Sequence, residues 1–341
     1  MTGVSPALLR LPGGPGARTW WSRLCLLAAI VLALPLPCAA QTGGATAAPD
    51  PDKMLRVCQD PNNLPFSHHD GTGFENRIAA LFAQQLGWQL ETTWFPQRIG
   101  FIRNTLRARQ ADSQAFKCDL VTGVPTGFDM AATTHPYYRS SYAMVYVKGR
   151  GRGLDGVQNL EAVLALPPAQ RSGLRFGVFT ASPVTDWLMQ NGLMDQVEWY
   201  QIQSGDAAQT PGETVERDLA SGKIDLAFVW GPIAGYLART ARPAPIVAVT
   251  LTSHPGMKLD FAIAMAVRHG DTALQQRIDR LIATNQRQID GILTQYGVPL
   301  LANQAQTQGQ TKAPTQAPDQ EQAHDQAQKQ ASHATRRPAT P

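Results

Sequence analysis

The chain has little that would tie it to nucleic acid, to a bilayer or to a known catalytic scaffold. Its 30 Lys+Arg stand against 26 Asp+Glu, with no basic cluster of the kind that follows a phosphate backbone or an anionic membrane surface. No apolar run reaches the length of a membrane span, and the run from Leu24 to Pro37 is too short. Gly-x-Ser-x-Gly, His-Glu-x-x-His and a phosphate loop are absent, and no carboxylate pair has the spacing of glycoside chemistry. An enzyme would have to rest on isolated groups such as Asp129, His135 or Asp186, a kind of residue that more often caps helices and forms turns. Neither a cofactor nor a metal is called for. Cysteine is scarce, with four in 341 residues.

What is present begins with a leader. Arg10, Arg18 and Arg23 precede Leu24 to Pro37, and Cys38-Ala39-Ala40 offers small residues for cleavage near Ala40. Residues 1–40 therefore read as a secretory signal, and Pro37 before Cys38 favours a soluble periplasmic protein over a lipid-anchored one. Its removal takes the formal charge from +4 to about +1, so the exported chain is nearly neutral. It also removes Cys25 and Cys38, which leaves Cys58 and Cys118 in an oxidising compartment. A disulfide is the natural expectation, since each lies at the end of a strand in one sheet. Two buried free thiols are the alternative, because sequence does not prove connectivity.

The rest is organised around Cys118 to Gly149, where a buried strand opens into a Gly/Pro-rich loop, an aromatic pair and a second strand. After a linker (41–52), strand Met54 to Cys58, a loop from Gln59 to Gly73, a helix with Phe74, Ile78, Leu81, Phe82 and Leu86 on one face, strand Leu90 to Trp94, and a helix from Phe101 to Arg109 lead to the Cys118 strand. Tyr142 to Lys148 then crosses to a second lobe. The order repeats there: strand Leu174 to Phe179, helix Ser182 to Asn191 with Ser182 as N-cap, strand Val197 to Ile202, helix Pro211 to Ser221, strand Ile224 to Trp230. Lys117-Cys118-Asp119-Leu120 and Lys223-Ile224-Asp225-Leu226 make the echo visible. Phe261 to Val267 crosses back, and Asp271 to Tyr296 is a long amphipathic helix. The limits are 53–145 for the first lobe, 146–258 for the second, and 259–300 for the return strand and helix completing the first. The tail, 301–341, has too few apolar residues to order itself.

Several runs carry a resemblance. LPFSHHDGTGFENRIAALFAQQLG (Leu64 to Gly87), the Cys118 strand and HPYY (His135 to Tyr138) resemble periplasmic solute-binding proteins of the amino-acid-binding type. LRVCQDPNNLPFS (Leu55 to Ser67) and WFPQRIGFIRNTL (Trp94 to Leu106) are similar to a narrower branch, the MxaJ/XoxJ proteins encoded with PQQ-dependent methanol dehydrogenases. The resemblance implies an α/β fold of two lobes, the type II periplasmic binding protein fold, with two crossing strands and a cleft between the lobes. It implies as partner a quinoprotein methanol or alcohol dehydrogenase, together with its cytochrome c as a further candidate.

Against that family the departures are informative. Amino-acid binders place an arginine before the aromatic pair, to clamp a carboxylate in bidentate fashion, and an aspartate after the last buried strand of the second lobe. This chain has Phe128 and Asp129 at the first place and Trp230-Gly231-Pro232 at the second. A zwitterion would be desolvated there without compensation, so a small apolar ligand or a protein segment is the better occupant. The expected cleft residues are Asn62, Asn63, Phe66, Thr126, Phe128, Asp129, Tyr137, Tyr138, Thr180, Ser182, Trp230 and Tyr236. The plainer reading of the rings is core or hinge packing. Trp230 is the foremost candidate for an exposed ring, because Gly231-Pro232 would end the strand and open a loop. His68, His69, Asp70, Glu75 and His135 could be read as metal ligands, but adjacent histidines are expected to point apart in a solvated loop, and no second ligand pair has suitable spacing.

Overall fold

A computed structural model describes residues 53–202 and 209–302. The leader (1–40), the linker (41–52) and the tail beyond Ala302 lie outside them.

The first half alternates strands and helices. Strand β1 (Met54–Gln59) is followed by the short antiparallel pair β2 (Asn62–Asn63) and β3 (Ser67–His68), helix α1 (Phe74–Leu86), strand β4 (Gln89–Trp94), helix α2 (Phe101–Asn104), strand β5 (Leu120–Pro125), strand β6 (Ala132–Thr133) and the long strand β7 (Tyr138–Val147). The second half adds α3 (Leu160–Leu164), α4 (Pro168–Arg171), β8 (Phe176–Phe179), α5 (Thr185–Gln190), β9 (Val197–Tyr200), α6 (Pro211–Ser221), β10 (Leu226–Trp230), α7 (Gly231–Thr240) and β11 (Ile246–Thr250). Strand β12 (Asp260–Val267) and helix α8 (Thr272–Gln295) close the described chain.

The hydrogen-bonded order is β4-β1-β5-β12-β7-β10-β8-β9, with β11 beside β7 and β6 beside β12. Strand β1 is parallel to β4 and β5, and β8 is parallel to β9 and β10. Strand β7 changes partners midway: Tyr138 to Ser141 pair with β12, and from Tyr142 onward it pairs with β10. It thereby passes from one half of the sheet to the other. Leu259, just before β12, packs in the second half's core and Ile263 in the first's, so β12 makes the return passage.

Alternation with period two puts a core on each face of each half. In the first half Leu55, Val57, Leu120 and Met265 face α1 and α8, while Cys58, Val121, Val124 and Ala264 face Phe101, Ile102 and Leu106. In the second, Met144, Phe176 and Phe228 face one way, and Val145, Ala227 and Val229 face α6 and α7. Cys58 and Cys118 form the disulfide, 60 residues apart in sequence. The echoed Asp119 and Asp225 each hold two arginines at a strand entry: Asp119 takes Arg56 (2.7 Å) and Arg268 (2.6 Å), and Asp225 takes Arg152 (3.0 Å) and Arg175 (3.8 Å).

Three local expectations need correction. Helix α2 stops at Asn104, because residues 105–109 turn in towards the Arg109↔Phe116 bridge instead of extending the axis. Helix α5 starts at Thr185, and Ser182 does not cap it: its carbonyl accepts from the Thr185 N–H and hydroxyl, while its own Oγ is buried with no hydrogen-bond partner. Gly231-Pro232 do not open a loop. They are the first turn of α7, where proline's fixed φ and missing N–H suit a helix start.

Candidate functional site

In α/β sheets the carboxyl ends of parallel strands are where ligand contacts gather. Here those ends are Asp60 to Asn63 after β1, Thr126 to Asp129 after β5, Thr180 to Ser182 after β8, and Trp230 at the end of β10. The Asp60 carboxylate orders the first of these, accepting from the Asn62 N–H (2.8 Å) and the Gln97 N–H (2.5 Å), and Asn63 Nδ2 donates to Gln97 Oε1 (3.2 Å). Thr180 is half-buried and donates its N–H to the Tyr200 carbonyl (2.9 Å). Near it, Phe179, Trp199, Tyr200, Ile202, Thr210 and Pro211 line a recess of about 220 Å³. The N-terminus of α6 there is closed by a capping box between Thr210 and Glu213.

The expected aromatic residues separate into two places. Phe128 packs with Phe101, Val124 and Ala131 on the disulfide face of the first half. Thr126 and Asp129 beside it are exposed, and the Asp129 carbonyl meets His269 Nε2 (3.1 Å). Phe66, Tyr137, Tyr138 and Tyr236 instead join through residues that the sequence did not single out as site residues. Phe74 lies 5.4 Å from Phe66, 6.0 Å from Tyr138 and 5.8 Å from Tyr296, Tyr137 lies 4.8 Å from Tyr138, and Tyr236 stacks on Tyr296 at 6.5 Å. Trp230 contacts Tyr142 (5.5 Å) and Phe261 (6.0 Å). These rings come from both halves and meet at the crossing strands, where Trp230 is half-buried.

At the centre of the first half's rings is Glu75, 5% exposed. Thr122 Oγ1 donates to its Oε2 (2.6 Å) and the Tyr137 hydroxyl to its Oε1 (3.2 Å). Burial raises this carboxyl to about 7, against the pull of those two donors. Tyr137 and Tyr138 are pushed well above their usual range, first by burial and then by the nearby Glu75 charge. Gly123 is required beside it: its φ is +74°, and a Cβ there would sit 2.5 Å from Glu75 Oε1. The cluster can hold a proton, but with Tyr137 at 0% and Tyr138 at 2% exposure it offers no surface for a substrate. A signal did exist in the sequence, since Glu75 falls on the same helical stripe as Ile78, Ala79 and Phe82.

The charges nearest the crossing neutralise one another. Arg139 pairs with Asp260, Nε to Oδ1 3.0 Å, and the Ser253 hydroxyl donates to Asp260 Oδ2 (2.6 Å), which together with Arg139 holds that carboxyl below its ordinary range. The histidines behave differently from expectation: the rings of His68 and His69 lie side by side, 4.2 Å apart, rather than pointing apart, and His68 Nδ1 pairs with Asp70 Oδ1 at 2.7 Å. His135 Nδ1 lies 3.3 Å from Asp279. Among the described residues no three His, Cys, Asp or Glu side chains converge as metal ligands, and no helix is long and apolar enough to cross a membrane.

No family model matches the chain. Protein MoxJ of Methylorubrum extorquens is 30% identical over 307 residues, covering 83% of this chain and 96% of that protein. The chain belongs to the MoxJ/XoxJ family. Among solved structures, the periplasmic binding protein XoxJ from Methylobacterium extorquens AM1 is 33% identical with a TM-score of 0.58, over 73% of this chain and all of XoxJ. MxaJ from Methylophaga aminisulfidivorans MPT is 27% identical with a TM-score of 0.57, over 72% of this chain and all of MxaJ. The fold is that of type II periplasmic binding proteins, and the scaffold of this MoxJ/XoxJ member is of the solute-binding kind.

Proposed function

We propose that this MoxJ/XoxJ family member is a non-catalytic periplasmic accessory protein of a quinoprotein, PQQ-dependent methanol or alcohol dehydrogenase. In this reading 53–145 with 259–300 make one lobe and 146–258 the other, and the residues from Asn62 to Tyr236 named above border the cleft between them. The observation that carries it is the packing at the two places where a free amino acid would be gripped. Phe128 is partly buried against the disulfide-side core, Trp230 leads into α7 against Tyr142 and Phe261, and the nearby Arg139 and Asp260 are spent on each other. A zwitterion entering there would lose its hydration with no counter-charge in return. The runs around Cys58 and Gln97 that resemble MxaJ/XoxJ add support, and so do the relatives' names. The test is to express tagged, mature protein with the dehydrogenase and to identify what is recovered from periplasm. Recovery of a dehydrogenase subunit, with or without its cytochrome c, supports the reading, and tagged protein that brings down none overturns it.

A second reading is a receptor that delivers a small non-amino-acid solute to an importer, and the aromatic recess beside Thr180 favours it. A thermal-shift panel of sugars, alcohols, organic acids and PQQ discriminates, because a ligand at a hundred times its Kd stabilises by about 2.7 kcal/mol. No shift across the panel removes this reading.

A further inference from the structure

Helix α2 and the turn after it present an unusual outer face. Ile102, Thr105 and Leu106 are buried, whereas Ile99 just before the helix, Arg103 within it and Arg107 in the turn after it are exposed. Ile99 is 94% exposed, and Met130 beside Arg107 is 39% exposed. Two guanidiniums near them, those of Arg107 and Arg109, are held by neutral groups, and the Arg103 guanidinium lies close by. Arg103 folds back over Gly100, where a Cβ would meet its Nη2 at 3.2 Å. Arg107 donates to the Met130 carbonyl, and Arg109 donates to the Gln114 carbonyl. Arg109 also lies 4.5 Å over the Phe116 ring, whose centroid is 4.1 Å from the Arg268 guanidinium.

Among the described residues none of these three arginines has a carboxylate partner. Elsewhere in this half Arg56, Arg139 and Arg268 pair with carboxylates. Asp112 and Asp129, close by in sequence, are exposed and pair with none of them. The result is a row of cations, two of them held in place, with donors left over, around an exposed isoleucine and methionine. Arginine forks match carboxylates in bidentate fashion, and Arg and Met are enriched where proteins meet. Because Arg107 and Arg109 are already hydrogen-bonded, less of their side-chain entropy is lost on docking.

We infer that the Ile99, Arg103, Arg107, Arg109 and Met130 surface docks a protein face that presents carboxylates around an apolar recess, and, resting on the function proposed above, that this face belongs to the quinoprotein dehydrogenase. The row is too short and too interrupted by apolar residues to follow a polyanion. Its contribution is electrostatic and therefore screened by salt.

The test measures the Kd of mature full-length protein for the purified dehydrogenase from the same periplasm, by biolayer interferometry from about 50 to about 200 mM salt. It compares wild type with Arg103→Glu/Arg107→Glu/Arg109→Glu and with the matching Lys triple variant, all checked for unchanged thermal unfolding. The Glu variant is expected to weaken binding by about tenfold or more and to flatten the salt dependence, with the Lys variant in between. A Glu variant that binds as wild type overturns this surface and leaves the accessory function standing. Wild type that does not bind the dehydrogenase overturns both. Retention of wild type on phosphatidylglycerol vesicles, lost in the Glu variant, while dehydrogenase binding is unaffected by the variant, assigns the face to a membrane and also overturns the inference.

Discussion

Replacing Glu75 by glutamine should change how stability depends on pH. The carboxyl ordinarily titrates near 4.5 and burial raises it to about 7, so between these values the folded chain binds more protons here than the unfolded chain. Stability contributed by this site is therefore fully present below about pH 4.5, falls as pH rises through the window, and is level above about 7. The full loss is roughly 3 kcal/mol, from about 1.4 kcal/mol for each pH unit of the shift. Glutamine keeps the shape and cannot ionise. Its amide nitrogen cannot accept from a hydroxyl, however, so either Thr122 or Tyr137 must turn, at a cost of about 1 kcal/mol. The variant should thus be less stable than wild type by about 1 kcal/mol near pH 4.5 and more stable by about 2 kcal/mol near pH 8. Urea unfolding followed by tryptophan fluorescence, with both proteins measured at each pH, cancels the other titrating groups. A difference between the two that stays constant from pH 4.5 to 8 would refute the claim that Glu75 carries its proton into the neutral range.

Two further outcomes follow from packing and cross-linking. Cys58→Ser/Cys118→Ser, or full reduction of wild type, should cost about 4 kcal/mol, because the bond closes a loop of 60 residues; an unchanged urea midpoint in the double variant sinks this. Gly235→Ala should destabilise by about 1 to 3 kcal/mol or more, since its Cβ would lie 1.8 Å from the Gly297 carbonyl oxygen. Gly291→Ala, in α8 with nothing within 4 Å of its Cβ, should instead stabilise by about 0.5 to 1 kcal/mol, and equal effects of the two in thermal unfolding would contradict the packing argument.

Much of the fold was legible because its signals are local. Helix α6 runs from Pro211 to Ser221, the bounds its sequence indicates, and the alternation of Leu55 and Val57 against Cys58 carries through to opposite cores. The strand-helix-strand echo also appears in the sheet, down to the paired aspartates. What could not be read depends on neighbours distant in sequence. Gly231 looked like a strand breaker, whereas it is glycine because Ser141 O and Ser140 Oγ would lie 2.3 and 2.7 Å from a Cβ. Phe128 was expected with the other rings, and only the path of the chain after β5 turns it onto the disulfide face. Glu75 was considered only as a metal ligand and set aside. Its position on an apolar stripe announced burial, but its partners Thr122 and Tyr137 lie 47 and 62 residues away.

The region around the crossing strands bears on whether this chain can work as a closing receptor. Hinge closure needs crossing segments that bend while little else spans the two halves. Here a third connection is packed across them. Helix α7 sits in the second half's core, yet Gly231 and Gly235 let its backbone touch residues 297–299, directly after α8 of the first half. Tyr236 stacks on Tyr296, while the segment itself is anchored to the first half by the Ser140 hydroxyl, which donates to the Pro299 carbonyl (2.7 Å), and by the Leu301 N–H, which donates to the Arg139 carbonyl (2.9 Å). A ring pair contributes about 0.5–1.5 kcal/mol beyond its buried area, so a rotation that separated α7 from this segment would cost at least about that, plus the lost backbone packing at Gly231 and Gly235, before any ligand contact was made. A small solute would have to return that energy through its own contacts, whereas a protein that binds outer faces needs no rotation at all. The physical balance therefore favours a scaffold that presents fixed surfaces to a partner.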